Sequence, residues 1–196
     1  MACGKNAVSS ILEKRGFFSI DCDLVVHEIL CEERIVRCIL DEFGAEAEKQ
    51  KISLLKENGS LDRRALGTIL FQNKKLLLRQ EEIVYPALSR RLFDFLQTHK
   101  NAVINATLLW KLPEILEKCQ AVIFVDTFFG IRFFRVKKRD SLPLIQIVRR
   151  FWAQKNLFSK YRLSNADIYK VDNSRSLDLL EKKIDGILQN FLKKDE

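Results

Sequence analysis

Apolar residues recur at helical spacing through most of this chain and collapse into short continuous runs at four places. Val8, Ile11 and Leu12 share one face of a helical turn, and Gly16 stops that pattern before a strand-like run from Phe17 to Ile20. Val26, Ile29, Leu30, Val36, Ile39, Leu40 and Phe43 predict one long helix, or two joined by a bend at Cys31 to Arg34, with Gly44 as the stop. Asn58-Gly59 is a turn signal. Asp62 then caps a helix carrying Leu66, Ile69, Leu70 and Phe71. Lys74 to Ile83 reads as the next helix, and Pro86 as the first turn of another whose inner face is Leu88, Leu92, Phe95 and Leu96.

Strands return at Ala102 to Asn105, Ala121 to Asp126 and Ile168 to Val171; the first two have the length and composition of parallel strands buried on both faces. Between them Pro113 opens a short helix, residues 128–138 form another, and Pro143 opens one with Leu144, Ile147, Val148 and Phe151. The cleanest period belongs to a C-terminal helix with apolar positions at 177, 180, 184, 187, 188 and 191. Alternating strands and helices predict a three-layer α/β fold, and the strandless helices of residues 44–98 read as an insertion beside the sheet or, equally from the pattern alone, as plain covering helices.

Composition narrows the class. A chain of 196 residues with 47% hydrophobic and 31% charged residues can build one domain with a sizeable core. The longest clean apolar run, Ala121 to Val125, is too short to span a bilayer, and the N-terminus lacks a signal-peptide pattern, so a cytoplasmic protein is expected. Cysteines 3, 22, 31, 38 and 119 form no C-x-x-C pair and have only His27 and His99 for company, which argues for buried reduced thiols rather than zinc. The net charge of +8 calls for a polyanionic partner: nucleic acid, a membrane surface or a phosphorylated metabolite.

The candidate chemistry lies at the start. Gly4-Lys5-Asn6 matches the back half of a phosphate-binding loop, G-x-x-x-x-G-K-[ST], in which backbone N–H groups cradle phosphates and the lysine reaches the β and γ oxygens. Alone, the tripeptide is a weak signal, better read as a glycine and a solvated lysine before a helix. The unit that follows, helix, strand and Asp21-Cys22-Asp23, gives the order of a nucleotide kinase, where a strand ends near the phosphoryl acceptor and presents a carboxylate. The strand that should precede the loop is then expected before Met1. Roughly five buried apolar residues at about 1.5–3 kcal/mol each would rest on it, a sum comparable to the whole stability of a domain.

Several segments resemble the dephospho-coenzyme A kinase family. Ser19 to Asp23 resembles V-I-D-A-D, Asn58 to Leu66 resembles D-G-S-L-D-R-x-A-L, and Tyr85-Pro86 is similar to His-Pro. Leu108-Leu109 resembles part of P-L-L-F, Arg135 to Asp140 resembles E-R-L-x-x-R-D, and Asp172-Asn173 resembles I-D-N. The resemblance covers nearly the whole chain, as a single domain over 1–196 with a helical acceptor-binding insertion at about 44–98 and a lid at about 135–162. It implies a phosphate-loop kinase fold with a parallel sheet, and transfer of the ATP γ-phosphoryl to the ribose 3′-hydroxyl of dephospho-CoA, with Mg²⁺.

On that resemblance Ala2, Cys3, Gly4, Lys5, Asn6 and Ala7 hold the nucleotide phosphates, and Lys5 bridges β and γ. Asp23 is the base for the acceptor hydroxyl, Arg135 and Arg139 close over the triphosphate from the lid, and Asn6 and Asp21 serve Mg²⁺. Either aspartate could instead be only a helix cap, and either arginine part of a solvated helix face. The chain departs from the family pattern at Asn6 (Ser/Thr), Ala7 (Thr), His27 (Arg), Tyr85 (His), Asn105 (Asp) and Lys111 (Glu). Two other readings compete: a phosphate-loop-like binder without turnover, and a nucleic-acid module built on Arg132 to Arg139, whose interleaved phenylalanines fit the buried side of an amphipathic helix better than a stacking platform.

Overall fold

A computed structural model describes residues 2–140, 147–148, 151–152, 156–161 and 166–192. The chain divides into two compact units, Met1–Ser19 with His99–Glu196, and Ile20–Thr98.

In the first unit, α1 (Lys5–Glu13) buries Val8, Ile11 and Leu12, the three residues whose spacing placed them on one face. They join Val171, Leu180 and Ile184 in a core flanked by Val103, Ile123 and Val125. Strand β1 (Phe18–Asp21) pairs with β2 (Ala102–Asn105), and the Phe18 N–H donates to the Asn101 carbonyl at 2.8 Å. Strand β3 (Ala121–Asp126) runs parallel to β4 (Asp167–Asp172), in a register that sets Val125 beside Val171 and Asp126 beside Asp172. The C-terminal helix (Leu177–Leu192) crosses β4 and α1, burying Leu180 and Ile184, while Leu177 stays exposed.

The expectation that β2 and β3 are buried on both faces is corrected: every residue of β3, and all of β2 but Asn105, is half-buried. Both faces of β3 are in fact used. Ile123 and Val125 meet the α1 core, and Phe124 packs edge-on against Phe158, 5.0 Å between centroids, and Tyr161 of the short helix Leu157–Tyr161. What leaves the strand half-exposed is its edge, since among the described residues β4 is its one hydrogen-bonded neighbour.

The second unit is helical. Helices α2 (Cys22–Ile29), α3 (Glu33–Lys49) and α4 (Arg63–Leu70) all pack on α5 (Lys74–Thr98). Two helices, not one, carry the 22–49 pattern, and the buried face holds Val25 and Ile35 rather than Val26 and Val36. Gly44 does not end α3. Ala45 to Lys49 are strong helix formers and Ala47 is buried one turn beyond Phe43, which outweighs the roughly 1 kcal/mol that a mid-helix glycine costs. Pro86 does not open a new helix either. Its ring removes one backbone bond, but Glu81, Val84, Leu88 and Leu92 continue a single buried stripe across it, so α5 runs through.

The Asn58 to Asp62 segment has a local cause. Gly59 turns the chain at φ +77°, the Asn58 side chain accepts from the Ser60 N–H at 3.1 Å, and Leu55 and Leu61 form an antiparallel bridge around the turn. Leu61 is buried, and Asp62 caps α4 by accepting from the N–H groups of Arg64 and Ala65 at 2.9 and 3.1 Å. The Ala65 N–H, above all, holds the Asp62 carboxyl below its ordinary range.

The cysteine expectation also needs correcting. Cys22 is buried and Cys3 and Cys119 are half-buried, but Cys31 and Cys38 are exposed. Among the described residues no helix is long and apolar enough to cross a membrane.

Candidate active site

Gly4 is the N-cap of α1 at φ +94°, a conformation that leaves the start of the helix with no side-chain cap. Helical geometry gives the first-turn N–H groups no carbonyl inside the helix, and the helix dipole makes that end attractive to anions. The three residues that open this turn are Lys5, Asn6 and Ala7. A glycine at position 4 is required twice over, since an added Cβ would also lie 2.1 Å from Asn173 Nδ2.

The carbonyls of the preceding residues are held by side chains. Asn173 Nδ2 donates to the Cys3 carbonyl at 2.8 Å, and the Thr127 hydroxyl reaches the same oxygen at 3.0 Å. Thr127 Oγ1 also lies 2.7 Å from the Asp126 carbonyl and 3.4 Å from that of Asn173, so its single proton is shared. Arg135, in α7 (Phe129–Asp140), donates to the carbonyls of Asn173 at 3.2 Å and Ala2 at 3.5 Å. Ala2 itself packs against a small core of Val136, Ile147 and Phe151.

Thr127 and Asn173 are the residues that sequence reasoning left without a role. Each is the first residue past the carboxyl end of a parallel strand, β3 or β4, and the Asn173 N–H donates to the Asp126 carbonyl at 2.8 Å. Strand carboxyl ends are where open α/β sheets place ligands, so position was the signal for Thr127, and for Asn173 it stood beside the Asp172-Asn173 resemblance to I-D-N. Beside them a cavity of about 590 Å³ is lined by Asp126, Phe128, Phe129, Lys170, Asp172 and Ser174. Although partial burial opposes it, the Asp126 carboxyl is held below its ordinary range by Lys170, 3.1 Å away, and by the Thr127 N–H.

Of the residues singled out from the sequence, Ala2 to Ala7 and Arg135 come together at the start of α1. Asn6 accepts from Asn105 Nδ2 at 3.1 Å, joining two of the positions that depart from the family pattern. Asp21 and Asp23 belong to the other unit, at the end of β1 and the first turn of α2. Asp21 is the N-cap of α2, accepting from the Asp23 N–H at 2.8 Å. The Arg139 side chain, Pro143, Leu144 and much of the expected lid lie outside the described residues. In the helical unit Tyr85 is hydrogen-bonded to Glu81 one turn earlier in α5, and burial together with that carboxylate pushes the phenol above its ordinary range.

A family model described as dephospho-CoA kinase (CoaE) matches residues 1–178. The chain belongs to the dephospho-CoA kinase family. It is 35% identical to a dephospho-CoA kinase of Treponema denticola over 187 residues, 92% of this chain and 82% of that one. It is 34% identical to the Treponema pallidum protein of the same name over 190 residues, 94% and 89% of the two chains. The fold is similar to that of TT1252 from Thermus thermophilus, with a TM-score of 0.76 at 22% identity over 97% of this chain and 93% of that one. It is also similar to dephospho-CoA kinase from Campylobacter jejuni, with a TM-score of 0.57 at 23% identity over 100% and 95%. The fold class read from the sequence, an α/β phosphate-loop kinase fold with parallel strands, agrees with these neighbours.

Proposed function

We propose that this chain transfers the γ-phosphoryl group of ATP to the ribose 3′-hydroxyl of dephospho-CoA, giving coenzyme A and ADP. The observation that carries this reading is the family match across residues 1–178, which takes in the loop, the Asp21 to Asp23 segment and the arginine helix together. The held loop supports it: with the Cys3 and Ala2 carbonyls bound to Asn173, Thr127 and Arg135, the end of α1 is set to receive phosphate oxygens. The alternative of a binder without turnover is not favoured.

Lys5 bridges the β and γ oxygens and offsets the negative charge that a loose transition state spreads over the transferring group. Asp23 receives the proton as the acceptor oxygen bonds to phosphorus and the bond from the γ-phosphorus to the bridging oxygen breaks. Asp21 fixes the main chain of Asp23 through the capping bond, so its first task is to hold the base in place. Arg135 and Arg139 neutralise the triphosphate, with Arg135 already hydrogen-bonded to the loop.

The residue types named for Mg²⁺ suit a hard cation, and each would offer oxygen by itself: Asn6 an amide Oδ1 with a second lone pair beyond the bond from Asn105, Asp21 a carboxylate. When bound, the ion neutralises charge on the β and γ phosphates. Five free cysteines fit a reducing compartment, here the cytoplasm.

The deciding experiment pairs product analysis with Asp23→Asn. Wild-type protein given ATP and dephospho-CoA should yield a product phosphorylated on the ribose 3′-oxygen, by mass and phosphorus NMR. Asp23→Asn should lose roughly 10²–10⁴-fold in turnover and keep its ATP affinity. Retained turnover in that variant would remove Asp23 from the mechanism, and no phosphorylated product from wild type would remove the function.

A further inference from the structure

We infer that Asn173 and Thr127 are positioning residues for nucleotide binding: by gripping the Cys3 carbonyl they set the direction in which the end of α1 presents its N–H groups to phosphate. This rests on the phosphate-loop reading above and adds residues that touch the loop rather than the substrate.

Three observations converge. The grip is tight, with 2.8 Å from Asn173 Nδ2 and 3.0 Å from Thr127 Oγ1 to one carbonyl oxygen. Both side chains are buried, Thr127 at 4% exposure and Asn173 at 7%, so neither bond is diluted by solvent. Asn173 also forms the wall over Gly4, at a distance where even one methyl group would collide. A peptide plane is rigid, so holding the oxygen of Cys3 fixes the N–H of Gly4 on the opposite side of the same plane and constrains the turn that follows. Arg135 reinforces the arrangement from the Ala2 and Asn173 carbonyls.

Removing the Asn173 amide takes away the shorter of these two bonds to the Cys3 carbonyl, and the Thr127 proton that shares it is already divided among three carbonyls. The loop then loses its fixed orientation, while Val8, Ile11 and Leu12 keep their core contacts with Val171, Leu180 and Ile184. The effect should fall on nucleotide and spare the acceptor.

The test is ADP binding by calorimetry on the full chain, with KM values for both substrates and a thermal melt. Asn173→Ala should weaken ADP by about tenfold or more, raise the KM for ATP in parallel, and leave the KM for dephospho-CoA within about twofold. Thr127→Val should act in the same direction, and Thr127→Ser, which restores the hydroxyl, should recover wild-type affinity. Should Asn173→Ala fail to fold, the Thr127 pair decides alone. Unchanged ADP affinity in Asn173→Ala, or equal losses for ATP and dephospho-CoA, overturns the positioning role while leaving the kinase reading intact. Wild-type protein that binds ADP but phosphorylates no dephospho-CoA overturns the kinase reading, and the ADP series still decides the role of Asn173.

Discussion

Replacing Gly4 by alanine imposes two separate costs whose sizes follow from the structure. The first is conformational: at φ +94° an L-residue pays about 1–2 kcal/mol that glycine does not. The second is steric, because the new Cβ would lie 2.1 Å from Asn173 Nδ2, well inside contact distance. Asn173 can yield only by giving up its 2.8 Å bond to the Cys3 carbonyl, a loss of about 0.5–1.5 kcal/mol. Together they predict destabilisation of about 1.5–3.5 kcal/mol, or roughly 3–14 °C in melting temperature for a chain of this size. A double-mutant cycle separates them: in an Asn173→Ala background the steric term vanishes, so Gly4→Ala should cost only the conformational part. The assay is a thermal or urea melt of the four proteins, with ADP affinity measured alongside. If Gly4→Ala melts within a degree of wild type, the left-handed turn is not there; if the cycle is additive, Asn173 is not the wall.

Lys5→Met should leave the melt unchanged and lower kcat by roughly 10²–10³-fold, as expected for loss of a charge aimed at the transition state; a larger KM with normal kcat would mean uniform phosphate binding instead. The Asp62 cap gives a pH dependence with a definite sign. Its folded pKa is depressed, so the stability it contributes is complete above the unfolded value near 3.9 and is lost as pH falls through the lower folded value. Asp62→Ala should therefore destabilise the protein at neutral pH and flatten the acid limb of its melting curve, and an unchanged acid limb would show that the cap contributes nothing. Thiol labelling followed by mass spectrometry should find Cys31 and Cys38 modified fast, Cys119 slower because burial raises its pKa, and Cys22 last. A fast Cys22 would contradict the packing of α2.

What could be read from the sequence was whatever depends on neighbours along the chain. The face of α1, the turn at Asn58-Gly59 and the cap at Asp62 are local events, and periodicity and turn chemistry report them directly. The helix ends failed where burial overrode local preference: Gly44 and Pro86 both punctuate a chain in isolation, yet Ala47 on one side and Leu88 with Leu92 on the other bury surface that keeps each helix going. Strand burial failed for another reason, since a run such as Ala121 to Val125 shows how apolar its faces are and nothing about how many neighbours share its edges. In the candidate site, Gly4 and Lys5 were legible because their spacing carries the chemistry. Thr127 was not, and Asn173 was legible only as part of the I-D-N resemblance without a role, because their partner is the backbone carbonyl of Cys3, 124 and 170 residues away, and sequence does not show which main-chain acceptor a side chain meets.

The same distinction changes the meaning of the positions where this chain departs from its family. Taken one at a time, Asn6 for Ser/Thr and Asn105 for Asp each read as the loss of a functional group. In the structure they touch, with Asn105 Nδ2 donating to Asn6 Oδ1 at 3.1 Å. An aspartate at 105 would call for the Asn6 NH2 as donor; with asparagine there, position 105 supplies the donor and the Asn6 oxygen accepts. The two asparagines are therefore a matched pair: a carboxylate has been given up, and an amide oxygen has been held in a fixed orientation. The two departures are one contact in this structure, beside a loop whose Cys3 and Ala2 carbonyls are held by Asn173, Thr127 and Arg135.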